Sequence, residues 1–173
     1  MLGLNSIDHT LKPAVQDMLK ELAIVKLFQV PTMFLTSKWT SAPVKNLVWK
    51  SEDFPPDPRN LIPDQPGVYI FVAEVNLFGF PHGSGLFYIG KATSLYQRIG
   101  AYMNDTDKDF VKTKRPLVWT MLNLWSGHLR YYFTITADVA AAEALEQEML
   151  TAYMPHFNTH FDGELGAVMK AFQ

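Results

Sequence analysis

The stretch LFYIGKATSLYQRIGAYM, residues 86–103, holds the strongest local pattern in the chain. Residues 86–89 are an apolar, aromatic run closed by Gly90, which predicts a short strand. Ser94 then opens a segment in which Leu95, Ile99 and Tyr102 recur at helical spacing. Gln97 stands three residues after Ser94, where a capping box would place it. Strand, turn and helix are therefore expected in this order. The polar tips are the oddity. Tyr88, Lys91, Arg98 and Tyr102 lie on or beside faces that the apolar residues mark as inward.

Upstream, GVYIFVAEV at residues 67–75 is a nearly continuous run of β-branched and aromatic residues behind Pro66, and predicts a strand buried on both faces. NLFGFPHGSG joins the two strands as a long hairpin connection. Downstream, residues 116–125 suit either a helix with Pro116 in its first turn or a hairpin closed by Ser126-Gly127; the helix is favoured. HLRYYFTIT, residues 128–136, predicts a third strand. Asp138 caps a last clear helix that ends before Pro155. Val15, Met18, Leu19, Leu22 and Val25 place an amphipathic helix within residues 11–28. The proline-rich segment 31–66 holds one short strand at residues 46–49, and residues 163–173 suit a short terminal helix.

The chain has 173 residues, 48% of them hydrophobic and 18% charged, which fits a folded domain with an extension rather than a disordered protein. It has no cysteine, which excludes a disulfide framework and a cysteine zinc site. Residues 23–35 are broken by Lys26, Gln29 and Pro31, so no membrane span is expected, and no secretion signal opens the sequence. A cytoplasmic protein is the resulting expectation. The net charge of −2 is unlike the basic footprint of many nucleic-acid binders, but Lys108, Lys112, Lys114 and Arg115 cluster near Lys91 and Arg98 in sequence. Taken alone, the KTKR run reads as a solvated loop.

The helix VAAAEALEQEMLTAY supplies the sharpest anomaly. Placed at 100° per residue, Val139, Ala142, Leu145, Met149, Leu150 and Tyr153 form one apolar arc, and Glu146 falls in its middle. A carboxylate there must be paired, protonated or bound to a metal. Arg98 is the candidate partner if the role is structural; a metal is the functional alternative. Tyr69 and Tyr88, each alone, read as core tyrosines with one satisfied hydroxyl.

Together, Gly67-Val68-Tyr69, Tyr88-Ile89-Gly90, Lys91, Arg98, Tyr102, Glu146 and Asn158 resemble the GIY-YIG nuclease family, with valine for isoleucine in the first triplet. Order and spacing are similar to the N-terminal nuclease module of excision-repair subunits and to restriction and phage members. The resemblance spans residues 66–158, leaving 1–65 as an N-terminal extension and 159–173 as a tail. It implies an α+β fold, a small three-stranded antiparallel sheet flanked by helices. It also implies a DNA endonuclease using Mg2+ or Mn2+, with Glu146 as metal ligand and Arg98 on the scissile phosphate. Tyr69 would be general base or would orient the attacking water, and Tyr88 would bond the water or the phosphate. Asn158 would brace the site, Lys91 and Tyr102 would support it, and Lys108, Lys112, Lys114 and Arg115 would bind DNA. A homodimer is left open. No zinc-binding segment follows the module. His82, His156 and His160 read as loop histidines. Two other classes stay in view, a catalytically inactive nucleic-acid binder and a protein-interaction module on the same fold.

Overall fold

A computed structural model describes residues 47–74, 84–106, 114–155 and 157–158. The helices expected within 11–28 and 163–173, and the loop holding His82, lie outside these residues. In chain order the elements are β1 (Lys50–Asp53), a 3-10 turn (Arg59–Leu61), β2 (Gly67–Glu74), β3 (Ser84–Ala92), α1 (Leu95–Thr106), α2 (Pro116–Leu124), β4 (Leu129–Ile135) and α3 (Val139–Tyr153). The helix reading of the segment after Pro116 holds. So do both caps: Ser94 Oγ accepts from the Gln97 N–H at 3.0 Å, and Asp138 Oδ1 accepts from the Ala141 N–H at 2.7 Å.

The sheet is antiparallel with order β1-β4-β2-β3. It has four strands where three were expected. The added strand is β1, which pairs Lys50 with Phe133 through Asp53 with Arg130. The short strand expected at residues 46–49 is thus displaced to 50–53. The cause is local. KSED carries no apolar alternation, whereas Leu47 and Trp49 are hydrophobic because they pack beside the sheet against the α3 cluster.

β2 lies between β3 and β4 and is nearly buried along its length. Its side chains alternate between two cores. Tyr69, Phe71 and Ala73 join Tyr131 and Phe133 of β4, Leu95, Ile99 and Tyr102 of α1, and Val118, Met121 and Leu122 of α2. Val68 and Ile70 join Ile89 of β3 and Ala142, Leu145, Met149 and Leu150 of α3. The architecture is therefore three layers, with α1 and α2 on one face and α3 on the other. The helix-and-strand pairing is tight at Gly67. A Cβ there would stand 2.2 Å from the Thr134 carbonyl oxygen, a backbone atom with no freedom to withdraw.

On the α1/α2 face, the Tyr131 hydroxyl is buried and has no hydrogen-bond partner among the described residues. A buried hydroxyl without a partner forfeits its hydration for nothing, so its removal is not penalised. Tyr131→Phe is expected to leave stability unchanged or raise it by about 1 kcal/mol. A urea melt checks this: the midpoint should hold or rise at constant m.

Candidate active site along the edge of the sheet

β3 is an outer strand, so alternate backbone groups along it point away from β2 and need partners. Side chains supply them. The Ile89 N–H donates to Asn158 Oδ1 at 2.9 Å, and Asn158 Nδ2 donates to the Ile89 carbonyl at 2.8 Å. Two residues on, the Lys91 N–H donates to Glu146 Oε1 at 3.0 Å. The strand period of two puts residues 89 and 91 on the same outward side, so the amide and the carboxylate line up as a missing neighbour strand would.

The chain reaches this edge through α3. Glu146 lies in the helix interior. The helix then stops at Met154, whose left-handed φ of 41° turns the backbone, with its N–H returning to the Leu150 carbonyl. Pro155 follows, and the Asn158 N–H closes a turn on the Pro155 carbonyl at 3.2 Å. Asn158 is 8% exposed, and the Glu146 side chain 15%. Burial raises the Glu146 carboxyl above its ordinary value, and Lys91 works against that shift.

Lys91 corrects one expectation. The structural partner foreseen for Glu146 was Arg98, but its Oε2 stands 3.6 Å from Lys91 Nζ, and the ammonium also pairs with Glu143. Lys91 lies opposite Val68 in the ladder and so shares the α3 face. Arg98 is exposed on α1 and forms no ion pair among the described residues.

The tyrosines gather on the other face. Tyr69 Oη and Tyr102 Oη are 2.7 Å apart, and the Tyr69 ring lies 6.3 Å from Tyr88 and 5.4 Å from Tyr131, stacked on both. Gly90 is the platform for this cluster: a Cβ at that position would meet Tyr69 Oη at 2.3 Å. Burial, then the neighbouring Tyr102 and Tyr88, push the Tyr69 phenol well above its ordinary value, and Arg98 pulls weakly the other way. Burial likewise raises Tyr102 and Tyr131.

A groove of ≈ 460 Å³ runs between α2 and α3 at this edge. Tyr88, Glu146, Asn158, Lys114 and Arg115 line it, together with Leu117, Val118, Leu150 and Phe157. Arg115 pairs with the buried carboxylate of Asp105, and its guanidinium carbon lies 5.0 Å from the Tyr102 ring centre.

The structure thus collects five of the residues singled out in the sequence in one groove: Tyr88, Glu146, Asn158, Lys114 and Arg115. Tyr69 and Tyr102 are buried and outside its walls, Lys91 braces Glu146 from the α3 face, and Arg98 is not among the lining residues. Lys108, Lys112, His156 and His160 lie outside the described residues. Asp105 was missed, although it continues the inner stripe Leu95, Ile99, Tyr102 at the next helical step. Glu143 as the Lys91 partner and the apolar wall of the groove were missed as well.

No group of three or more His, Asp or Glu side chains that could hold a metal occurs among the described residues. The donor set is one carboxylate, with one oxygen committed to a backbone N–H. That suits magnesium, which prefers hard oxygen ligands and keeps several of its waters; it does not suit zinc.

A family model described as the UvrC-like GIY-YIG domain matches residues 65–159. Among solved structures, the chain is similar to the magnesium-bound GIY-YIG N-terminal endonuclease domain of UvrC from Thermotoga maritima, at 22% identity and a TM-score of 0.42, over 59% of this chain and 92% of that one. An asparagine-to-alanine point mutant of the same Thermotoga maritima domain, bound to its catalytic divalent cation, is similar at 24% identity and a TM-score of 0.42, over 60% of this chain and 93% of that one. No curated protein matches the chain.

Two measurements test this geometry. Asn158→Ala strips partners from two buried backbone groups and should cost about 2 kcal/mol in a denaturant melt. Asn158→Asp should be no better, since it removes the donor to the Ile89 carbonyl and sets a carboxylate against that oxygen. The tyrosines give a pH dependence. Above the ordinary tyrosine value of 10.0, an unfolded chain releases protons that Tyr69, Tyr102 and Tyr131 keep in the fold. Their contribution to stability is therefore full below that value and is lost as pH rises beyond it. Absorbance of tyrosinate followed against pH should show these three ionising together with unfolding.

Proposed function

This chain belongs to the UvrC-like GIY-YIG domain family, and on that premise we propose that it is a divalent-metal-dependent endonuclease that hydrolyses DNA phosphodiester bonds. One observation carries the reading above all others. The inward carboxylate of Glu146, fixed by the Lys91 N–H, opens on the same groove as Tyr88, Asn158 and Arg115. A protein that merely bound nucleic acid would have no use for a costly half-buried acid at that point.

Glu146 is the residue that would hold Mg2+ or Mn2+, and the bound cation would supply Lewis-acid stabilisation of the phosphate oxygens. The remaining roles belong to the chain. Tyr88, at the groove wall, bonds the attacking water or the phosphate. Tyr69 has two candidate roles, and its burial favours orientation over proton abstraction, because the phenolate is the disfavoured form there. It acts by holding Tyr102 and, through the stacked rings, Tyr88. Arg98, exposed on α1, takes the scissile phosphate through its planar fork. Asn158 keeps the β3 edge in place, Lys91 keeps Glu146 in place, and Lys114 and Arg115, with Lys108 and Lys112, receive the DNA backbone. All of these residues come from a single chain.

Pure protein is expected to nick plasmid DNA in magnesium or manganese and to do nothing in EDTA. Glu146→Gln should lower the rate by about 10²–10³-fold or more. Its stability should stay within about 1 kcal/mol of the parent, since the new amide oxygen still accepts from the Lys91 N–H. Glu146→Ala should lose the same activity and in addition cost about 1–3 kcal/mol, because that N–H is left open. The reading fails if plasmid, linear, branched and single-stranded DNA all survive across metals, or if Glu146→Gln cleaves as fast as the parent.

A further inference from the structure

The shape of the groove bears on what kind of DNA enters. Base readout in a duplex needs a convex element, a helix or ribbon that enters the major groove. Here the carboxylate sits on a concavity of ≈ 460 Å³. That volume falls in the range of about 300–1,000 Å³ that accommodates compact ligands. One wall is apolar. Leu117 is 46% exposed on α2, and the otherwise buried Val118, Leu150 and Phe157 turn an edge of the core into the groove that Glu146 also lines. The two cations can hold backbone phosphate, but the exposed leucine beside them has no part in that contact, because the backbone is anionic and hydrated.

The cations fit the same picture. Arg115 is paired with Asp105, whose carboxylate is itself buried, so the guanidinium is held in one place and part of its charge is already answered. Such an arginine positions a single phosphate rather than attracting a long stretch of backbone. A site of this kind must draw much of its affinity from contact with a base.

We infer that the groove between α2 and α3 takes one unpaired nucleotide of the DNA strand, with its base against Leu117, Leu150 and Phe157 and its phosphate on Arg115. This rests on the nuclease reading above and adds a substrate class: DNA that already presents an unpaired nucleotide, as a single strand, bulge or mismatch. Regular duplex must first spend free energy on unpairing and unstacking the base, and unpaired substrates avoid most of that.

The test is binding in EDTA, which removes cleavage from the measurement. Fluorescence anisotropy compares a duplex, the same duplex with one bulged nucleotide, the bulge made abasic, and a single strand of equal length. The bulged duplex and the single strand should bind about ten-fold more tightly than the duplex, and the abasic bulge should lose that advantage. Leu117→Ala, at an exposed position that the fold does not need, should shrink the preference several-fold. Equal affinity for duplex and bulge, an abasic bulge as good as the intact one, or a preference that ignores Leu117→Ala would each overturn the inference. Plasmid nicking on the same samples separates the two claims. Metal-dependent nicking without the preference sinks only the unpaired-nucleotide site; absence of both binding and nicking sinks the nuclease reading with it.

Discussion

The outward edge of β3 is the constraint on which the site depends. A sheet edge must be paired, covered or solvated, and here it is covered by two side chains of different chemistry. Asn158 answers both the donor and the acceptor of Ile89, and Glu146 answers the donor of Lys91. Filling that edge fixes where α3 ends and where the turn after Met154 must bring the chain. The carboxylate is therefore placed by backbone hydrogen bonding and not by a partner cation alone. Lys91 answers it twice, with its N–H at Oε1 and with its ammonium 3.6 Å from Oε2.

The two faces of the sheet divide the work. The α3 face carries the charged set of Lys91, Glu143 and Glu146. The α1/α2 face carries a packed set of aromatic rings in which Tyr69 contacts Tyr88, Tyr102, Phe71 and Tyr131. At the β3 edge the two come to one groove, which Tyr88 lines from one side and Glu146 from the other. Gly90 makes the meeting narrow, since any larger residue would lift Tyr69 away from the strand.

Much of this was legible in the sequence, for physical reasons that can be named. Helical periodicity put Glu146 on an apolar arc, and burial follows from that arithmetic. Ser94, Asp138 and Pro155 marked helix ends through local hydrogen bonding, which needs no tertiary information. The failures are those of long-range pairing. β1 is held by the backbone of β4, so KSED carries no hydropathy signature of its own. The Arg98 partnership for Glu146 was drawn from charge alone, and the register of β3 decided for Lys91, which lies opposite Val68 and thus on the α3 side. Asp105 escaped because an acid at the end of a helical stripe looks solvated until the residue that meets it, Arg115, is folded back over Tyr102.

Arg59 carries a consequence for where the folding unit begins. Its guanidinium donates to the Tyr96 carbonyl at 2.7 Å and lies 3.9 Å above the Tyr96 ring, in space left by Gly100, where a Cβ would stand 2.3 Å from it. The segment before β2 is thus bolted to α1, while β1 shields the outer edge of β4. A fragment cut at the start of the matched region would keep every candidate catalytic residue and lose both fixtures. It would bare a notch on α1 and an unpaired strand edge on β4. The packed unit is therefore larger than the stretch that holds the candidate catalytic residues.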